Sequence, residues 1–283
     1  MVPHFLQTPA ASWRERLRRS PSVLVASDFD GTLAPIVPDP WAARALPGGL
    51  RALSILARYR PGVSAAIVSG RGIADLRSRC PVQQVWLVGS HGNEIAPPPR
   101  QPPLAWSAPA FPQAALRQIA STTQAWPGVI VDPKASACAL HFRQAPHFAG
   151  RVESLAAQIA RDYHLSLMPG KCLVELVCPE AHTKGQAMEL LRRHLNSDLV
   201  IYLGDDQTDE TVFTLPSDQF IGIYVAPASM PATPVIEADF NTHAAYWLRD
   251  PEEVARALRF IARLRLHPEG IAPRRLKTMR QPA

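Results

Sequence analysis

The sequence predicts an α/β fold in which a largely parallel sheet is interrupted by a smaller α+β insertion. Short apolar runs, typical of strands buried on both faces, alternate with amphipathic helical segments at the start of the chain and again near its end. Between these regions, seven prolines fall within residues 97–112, which favours an extended connector, and pairs of closely spaced strands follow. We therefore expect a Rossmann-like core divided by an inserted domain.

The first part of the core contains three predicted strands. They cover residues 23–26, 63–68 and 85–88. Leu50, Leu53 and Leu56 recur at steps of three, which predicts an amphipathic helix at residues 49–60, between the first two strands. Each strand is followed by a short polar turn. Because the carboxyl ends of parallel strands meet at one edge of a sheet, we expect these turns to lie close together.

The insertion and the second part of the core follow in order. The insertion is predicted to hold helices at residues 111–125 and 148–163 and strands at residues 128–131, 135–143, 165–168 and 172–178. The core then resumes with a helix at residues 186–195, strands at 199–203 and 220–225, and a last helix whose N-cap is Asp250. The predicted domains are a basic N-terminal arm (1–21), a core (22–100 and 180–265), an α+β cap (101–179) and a basic tail (266–283).

Composition and charge exclude several classes of protein. With 47% apolar and 19% charged residues and no apolar run near the ~20 residues of a membrane helix, the chain is predicted to be soluble, with no membrane partner. Four cysteines without CxxC spacing and the lack of a secretory pattern favour a cytoplasmic protein with reduced thiols. The net charge of +6 lies in the ends, since residues 1–21 contribute +3 and residues 263–283 contribute +5, which leaves −2 for the body. We expect solvated basic ends and no nucleic-acid binding.

Polar residues suited to one ligand follow four of the predicted strands. They are Asp28, Asp30 and Thr32; Ser69, Gly70 and Arg71; Ser90, His91 and Gly92; and Asp205, Asp206 and Asp209. Lys184 precedes a helix whose N-terminus would face the same edge. Clustered carboxylates repel one another unless a cation lies among them, and short acids without cysteine favour Mg²⁺. Hydroxyl and glycine groups beside a lysine suit phosphate oxygens, so we predict phosphoryl transfer to an aspartate. The alternative, that these acids only close turns, does not explain why all four ends carry such groups.

Four short motifs resemble those of the haloacid dehalogenase-like (HAD) phosphatases. They are Asp28-Phe29-Asp30-Gly31-Thr32-Leu33, Ser69-Gly70-Arg71, Lys184-Gly185 and the segment from Gly204 to Glu210. More narrowly, the chain resembles trehalose-6-phosphate phosphatases across residues 22–248, through the His91-Gly92 turn and through Lys134, Arg143, Lys171 and Glu175 of the insertion. It differs from that family where Asp132 replaces a glutamate, where Phe142 replaces a tyrosine and where an arginine after Glu175 is missing.

The resemblance implies a mechanism and a set of site residues. Asp28 would be the nucleophile, and Asp30 would protonate the leaving sugar oxygen and then activate water. Mg²⁺ would be held by Asp28, the Asp30 carbonyl and Asp205, with Asp206 or Asp209 nearby through water. Thr32, Ser69, Gly70 and Lys184 would bind the phosphoryl group. The implied sugar-binding residues are Arg71, His91, Lys134, Arg143, Lys171 and Glu175.

The resulting hypothesis is a Mg²⁺-dependent phosphatase that hydrolyses trehalose 6-phosphate. One alternative is a HAD phosphatase for another sugar phosphate, such as a glucosylglycerol or mannosylglycerate phosphate, because the departures from the family pattern fall in the cap. A second alternative is a sugar-phosphate sensor without turnover, which predicts damage to the first or the last motif, and both are intact. Any association with trehalose-6-phosphate synthase would be non-covalent, since these 283 residues contain no synthase domain.

Overall fold

The computed structural model describes residues 2–8, 13–59, 62–170, 172–227 and 241–266, without the side chains of Pro40 and Tyr59. Two of the predictions, the sugar contact of Lys171 and the basic tail beyond residue 266, lie outside these residues. No described helix combines the length and the apolar character that crossing a membrane requires.

The described residues form eleven strands and eight α-helices. The strands are β1 (Val23–Asp28), β2 (Val63–Val68), β3 (Trp86–Gly89), β4 (Glu94–Ala96), β5 (Ile130–Pro133), β6 (Ala137–His141), β7 (Ser166–Gly170), β8 (Leu173–Val177), β9 (Leu199–Gly204), β10 (Phe220–Val225) and β11 (Tyr246–Leu248). The helices are α1 (Trp13–Arg19), α2 (Pro47–Tyr59), α3 (Ile73–Arg79), α4 (Gln113–Thr123), α5 (Ala149–Asp162), α6 (Lys184–His194), α7 (Glu210–Phe213) and α8 (Pro251–Leu266).

A seven-stranded sheet with the order β11-β10-β9-β1-β2-β3-β4 forms the core, and its strands run parallel except for β4. The central strand β1 pairs with β2 on one side and β9 on the other, so that Asp28 lies opposite Val68 and Ser27 lies opposite Leu203. This register brings the carboxyl ends of the three strands to one edge. The predicted α/β class with a parallel sheet is confirmed.

Both faces of the core sheet are covered. Val23 and Val25 of β1 pack into the apolar cluster shared with α2 and α8, whereas Leu24 and Ala26 pack into the cluster on the opposite face with α6 and α7. All four side chains are fully buried. This two-sided burial explains why β1 is a continuous apolar run in the sequence rather than an alternating one.

A second, antiparallel sheet with the order β5-β6-β8-β7 lies within the predicted insertion. It has its own apolar cluster with α4 and α5, which includes Ile119, Leu140, Ile159 and Leu176. Neighbouring residues of β6 and β8 point away from this cluster, among them Glu175, which pairs with Ala139 in the ladder. The sheet therefore has one face packed on helices and one face available to a ligand.

The N-terminal segment differs from the predicted solvated arm. Phe5, Trp13 and Leu17 are fully buried in the core cluster, and the rings of Phe5 and Trp13 stack with centroids 4.1 Å apart. Trp13 and Leu17 are four residues apart in α1 and therefore share one helix face, which packs on α8. The prediction was wrong for these residues because it weighed the arginines and overlooked the apolar spacing between them.

The two connections between the sheets contact each other. The ring of Trp106, in the first connection, packs against His182 of the second with centroids 3.8 Å apart. Trp106 also donates from Nε1 to the carbonyl of Gly92 at 2.7 Å, and the Asn93 side chain bonds to both backbone groups of His182. Both connections are thus tied to the turn after β3 that carries His91.

Candidate active site

The chain turns sharply after β1 and places Asp28 beside the last core motif. Gly31 has a φ of +83°, and an added Cβ there would lie 2.0 Å from Oδ2 of Asp205. The backbone amide of Gly31 donates to the carbonyl of Ala34 at 2.8 Å and closes the turn. Only glycine permits both this left-handed backbone and the close approach of the Asp205 carboxylate. The turn therefore sets the distance between the first and the last motif.

Carboxylates of Asp28, Asp205 and Asp209 form a compact cluster, with one oxygen from each lying within 4.8 Å of the others. Asp209 is fully buried and accepts hydrogen bonds from the Tyr202 hydroxyl at 2.5 Å and from the backbone amides of Asp205 and Asp206 at 2.9 and 3.1 Å. These bonds fix its carboxylate towards Asp28. Of the two acids predicted to assist in metal binding, Asp209 joins the cluster, while the Asp206 side chain is 47% exposed.

Lys184 lies between two of these carboxylates. Its Nζ donates to Oδ1 of Asp28 and to Oδ1 of Asp209, both at 2.8 Å, and its side chain is 1% exposed. Lys184 is the first residue of α6, where Thr183 provides the N-cap and forms a reciprocal capping box with Gln186. The sequence predicted that this helix begins at residue 186, two residues after its observed start. Placing a lysine in the first turn opposes the helix dipole, so the two carboxylates account for its position.

Electrostatics in this cluster favour a bound cation. Burial raises the pKa of Asp28 against the opposing effect of Lys184, and burial together with Asp209 and Asp206 raises the pKa of Asp205 to about 8. Burial alone would lower the pKa of Lys184, but Asp209 and Asp28 outweigh it and raise this pKa. The clustered carboxylates thus carry more negative charge than the ammonium of Lys184 alone can neutralise. The oxygen-only donor set of Asp28, Asp205 and Asp209 fits a hard divalent cation.

Asp30 is turned towards Arg71 rather than towards the cluster. Arg71 donates from Nε to Oδ2 and from Nη2 to Oδ1 of Asp30 at 2.6 and 2.7 Å, and from Nη1 to Asp75 at 2.9 Å. Burial opposes the charge on Arg71, but the bonds to Asp30 and Asp75 raise its pKa. Asp75 in turn accepts from Nε of Arg79, a buried residue of α3. Sequence reasoning predicted Arg71 as a sugar ligand and did not foresee this pairing.

A second buried charged group joins the core to the other sheet. Glu175 of β8 accepts a hydrogen bond from Nζ of Lys134 at 2.5 Å, and Nε2 of His91 lies 3.5 Å from its second oxygen. Burial alone would raise the pKa of Glu175, but the hydrogen bond with His91 and the charge of Lys134 outweigh it and lower the pKa to about 2. His91 has a φ of +55° and packs so closely on Gly70 that a Cβ there would lie 2.4 Å from Nε2. His91 is therefore held rigidly at the boundary.

The remaining predicted residues lie around the same edge. Thr32 donates to Oδ1 of Asp205 at 3.2 Å, and the buried Ser69 accepts from the backbone amide of Arg71 at 3.2 Å. Arg143 donates from Nη1 to the carbonyl of Pro38, in the loop that follows β1, at 3.0 Å. The cap residue Arg143 therefore contacts the core directly.

A cavity of about 320 Å³ opens between the two sheets and lies against these residues. The predicted site residues in its lining are Asp28, Asp30, Ser69, Gly70, Arg71, His91, Lys134, Arg143 and Asp206. Thr32, Glu175, Lys184, Asp205 and Asp209 are not in the lining. Glu175 contacts the lining residue His91, and Lys184 contacts the lining residue Asp28. Sequence reasoning missed a further part of the lining, the loop 35–45 between β1 and α2, which contributes Ile36 and Trp41. A tryptophan in this proline-rich segment, which contains Pro35, Pro38 and Pro40, was the available signal.

Comparisons with known proteins agree with this geometry. A sequence model of the trehalose-phosphatase family matches residues 26–239. The chain is 35% identical over 257 residues to a trehalose-phosphate phosphatase of Mycobacterium tuberculosis, covering 87% of this chain and 62% of that protein. It is also 35% identical over 237 residues to an uncharacterized glycosyl hydrolase of the same species, covering 79% of this chain and 17% of that protein. The chain thus spans less than two thirds of either relative.

A solved structure shows the same fold. The C-terminal domain of trehalose-6-phosphate phosphatase from Candida albicans superposes with a TM-score of 0.69 at 23% identity, covering 93% of this chain and 98% of that domain. The fold is the haloacid dehalogenase-like α/β fold that the motifs predicted. The order of the strands, the acidic cluster beside β1 and the family match lead to one conclusion: the chain belongs to the trehalose-phosphatase family.

Proposed function

We propose that this protein hydrolyses trehalose 6-phosphate to trehalose and phosphate through an aspartyl-phosphate intermediate. The observation that carries the proposal is the position of Asp28, which ends β1, shares the buried Lys184 with Asp209 and lines the cavity between the two sheets. Membership of the trehalose-phosphatase family supports the choice of substrate. The named activity of the mycobacterial relative supports it as well.

Asp28 is proposed to attack the phosphorus atom. Its carboxylate oxygen forms a bond to phosphorus while the bond from phosphorus to the sugar oxygen breaks, and Lys184 neutralises charge on the carboxylate and on the transferring group. Asp30 gives a proton to the departing sugar oxygen and then takes one from the water that hydrolyses the acyl phosphate. Thr32, Ser69 and Gly70 are proposed to hold the phosphoryl oxygens.

Arg71 is placed to position Asp30, the proposed acid and base. Its guanidinium donates to both oxygens of the Asp30 carboxylate. The charged form is the one that activates water. For the first step Asp30 must carry a proton, so we propose that Arg71 transfers one of its hydrogen bonds to an oxygen of the substrate when the substrate binds. This would reconcile the predicted sugar contact of Arg71 with its position in the structure.

A divalent cation completes the proposed site. Asp28, Asp205 and Asp209 would hold Mg²⁺, with the predicted contributions of the Asp30 carbonyl and Asp206 remaining proposals. When bound, the ion supplies neutralisation of the clustered carboxylates and of the phosphoryl oxygens. The raised pKa of Asp205, about 8, is the feature of this chain that supports a cation there, because burial beside like charges opposes its ionisation.

Sugar recognition is proposed to come from the cap. Lys134, Arg143 and Glu175 carry charged groups suited to hydroxyls, and His91 meets them from the core. Lys171 stays a predicted contact because it lies outside the described residues. A cytoplasmic location and a non-covalent association with trehalose-6-phosphate synthase likewise stay predictions.

The test is phosphate release from trehalose 6-phosphate with Mg²⁺, without it, and after chelation with EDTA. We expect release with Mg²⁺, loss of release with EDTA, and recovery when Mg²⁺ is restored. A parallel panel contains glucose 6-phosphate and the glucosylglycerol and mannosylglycerate phosphates. Equal rates across the panel would refute the proposed substrate. Binding of trehalose 6-phosphate without any phosphate release would refute catalysis and favour the sensor alternative.

A further inference from the structure

Exposed apolar side chains of the loop 35–45 lie in the lining of the cavity. Among the described residues, the large apolar side chains with substantial exposure are Ile36 (65%), Trp41 (45%), Leu167 (41%) and Met168 (40%). Ile36 and Trp41 belong to the loop 35–45 and line the cavity, whereas Leu167 and Met168 lie in β7 and do not line it. Apolar groups exposed beside a polar pocket typically mark a binding surface.

The backbone of this loop is held in place by hydrogen bonds to side chains. Arg79 is 7% exposed and donates from Nη1 to the carbonyls of Trp41 and Ala43 at 2.8 and 3.0 Å. Arg44 donates to the same two carbonyls, and the Asp39 side chain accepts from the backbone amide of Trp41 at 2.9 Å. The exposure of the Trp41 ring therefore belongs to an ordered loop and does not result from fraying. A side chain fixed in this way is preorganised for binding.

The part of the cavity lining that comes from the cap carries several polar side chains. They include those of Lys134, His141 and Gln144, and Arg143 joins this part of the lining to the loop through the carbonyl of Pro38. The loop therefore contributes mainly apolar side chains to the cavity, and the cap contributes donors and acceptors together with the apolar Ile130 and Leu173. A pyranose ring matches both surfaces, because its edge carries hydroxyls and its face presents C–H groups.

Depth in the cavity separates the phosphate end from the sugar end. Asp28 and Ser69 are 4% and 1% exposed, so the phosphoryl group must reach the bottom of the cavity. Ile36 and Trp41 are far more exposed and mark its mouth. A sugar phosphate that places its phosphorus beside Asp28 directs the rest of the molecule outwards past Trp41.

We propose that the loop 35–45, chiefly through the ring of Trp41, binds the apolar face of the sugar ring that does not carry the phosphate. Trp41 thereby determines specificity for disaccharide phosphates over monosaccharide phosphates. This inference rests on the proposed function. It adds a substrate contact that comes from the core rather than from the cap. Trp41 binds substrate and takes no part in bond making or proton transfer.

The first test compares Trp41→Ser, Trp41→Phe and the matched control Leu167→Ser, which removes a similarly exposed apolar side chain outside the cavity. For Trp41→Ser we expect KM for trehalose 6-phosphate to rise about tenfold with kcat nearly unchanged, and KM for glucose 6-phosphate to stay constant. Trp41→Phe keeps a ring face and should retain most of the affinity. Leu167→Ser should match the parent. An equal loss for both substrates would indicate a merely structural role and refute the proposal.

The second test measures binding without turnover. In an Asp28→Asn background, calorimetry with trehalose 6-phosphate should show about tenfold weaker binding after Trp41→Ser, whereas the affinity for inorganic phosphate should not change. Unchanged affinity for trehalose 6-phosphate would refute the proposal even if the parent hydrolyses it. If the parent prefers another member of the sugar-phosphate panel, the proposed substrate is wrong and the same comparison is made with that compound. If no sugar phosphate binds, both proposals are wrong.

Discussion

Two buried charged centres in this molecule have opposite balances of charge. In the core, the ammonium of Lys184 faces the carboxylates of Asp28 and Asp209, with Asp205 and Asp206 close by. At the boundary between the sheets, the single carboxylate of Glu175 is shared by the ammonium of Lys134 and the imidazole of His91. The first centre has an excess of negative charge, and the second is neutral or positive.

This difference assigns different tasks to the two centres. The core centre is complete only when further positive charge arrives, and burial raises the pKa of Asp28 and Asp205 accordingly. The boundary centre is balanced by its own residues, and its carboxylate has a lowered pKa. We infer that the core centre is built for chemistry on a charged ligand. The boundary centre joins the antiparallel sheet to the turn after β3 through its own hydrogen bonds.

The largest expected effect comes from Asp28→Asn. Because the proposed reaction forms its covalent bond to this carboxylate, we expect phosphate release to fall by about 10⁴-fold or more. Stability should not fall, since neutralising Asp28 removes one of the crowded carboxylates whose ionisation burial opposes. The measurements are phosphate release and urea unfolding. Asp162→Asn, an exposed acid at the end of α5, is the control. Activity of the Asp28 variant within tenfold of the parent would contradict its role as nucleophile.

The second prediction compares the two buried lysines. Lys184→Met leaves Asp28 and Asp209 without their shared cation, so we expect a loss of about 3–5 kcal/mol of unfolding free energy. Lys134→Met leaves Glu175 with His91 as a remaining partner and should cost about 1–3 kcal/mol. Urea unfolding of both variants without added metal measures the difference. A larger loss for Lys134→Met would contradict the comparison of the two centres.

Sequence patterns predicted the parts of the molecule that depend on local physics. Strand β10 has the predicted bounds, and β1 and β9 were found from apolar runs, because strands buried on both faces carry such runs wherever they occur. The convergence of four polar turns followed from the parallel arrangement of their strands. By contrast, α1 was missed because two apolar residues among four arginines form a weak signal. Their burial depends on α8, which lies more than two hundred residues away in the sequence.

Side-chain direction within the site could not be predicted. Asp206 and Asp209 were equal candidates in the sequence, and what separates them is the Tyr202 hydroxyl and two backbone amides that fix Asp209. The pairing of Arg71 with Asp30 joins two turns 41 residues apart. The loop 35–45 carries no motif, and its role depends on Arg79 from another helix. These features are tertiary, and no local pattern encodes them.

The third prediction concerns pH and the boundary centre. The pKa of Glu175 is about 2, below its ordinary value of 4.5, so its contribution to stability is complete above about pH 4.5 and is lost as the pH falls towards 2. Between about pH 6 and about pH 3, the parent should lose about 2 kcal/mol more than Glu175→Gln. Urea unfolding at these two pH values measures how much unfolding free energy each protein loses between them. This difference does not depend on any constant destabilisation caused by the substitution. Equal losses for the two proteins would refute the assigned pairing.

The smallest expected effect comes from the substitution Asp75→Asn. Asp75 lies in the lining of the cavity but is not part of the carboxylate cluster. It anchors Arg71 and is itself held by Arg79. Its loss leaves Arg71 paired with Asp30 but less fixed in orientation, so we expect kcat to fall by about tenfold, below the 10²-fold that a misplacement of ~1 Å can cause. The pH profile of kcat should also change, because Arg71 donates to both oxygens of Asp30, the proposed acid and base, and a purely structural role would not change it. A loss as large as that of Asp30→Asn would place Asp75 in the chemistry itself. An unchanged pH profile would contradict the positioning of Asp30 by Asp75 through Arg71.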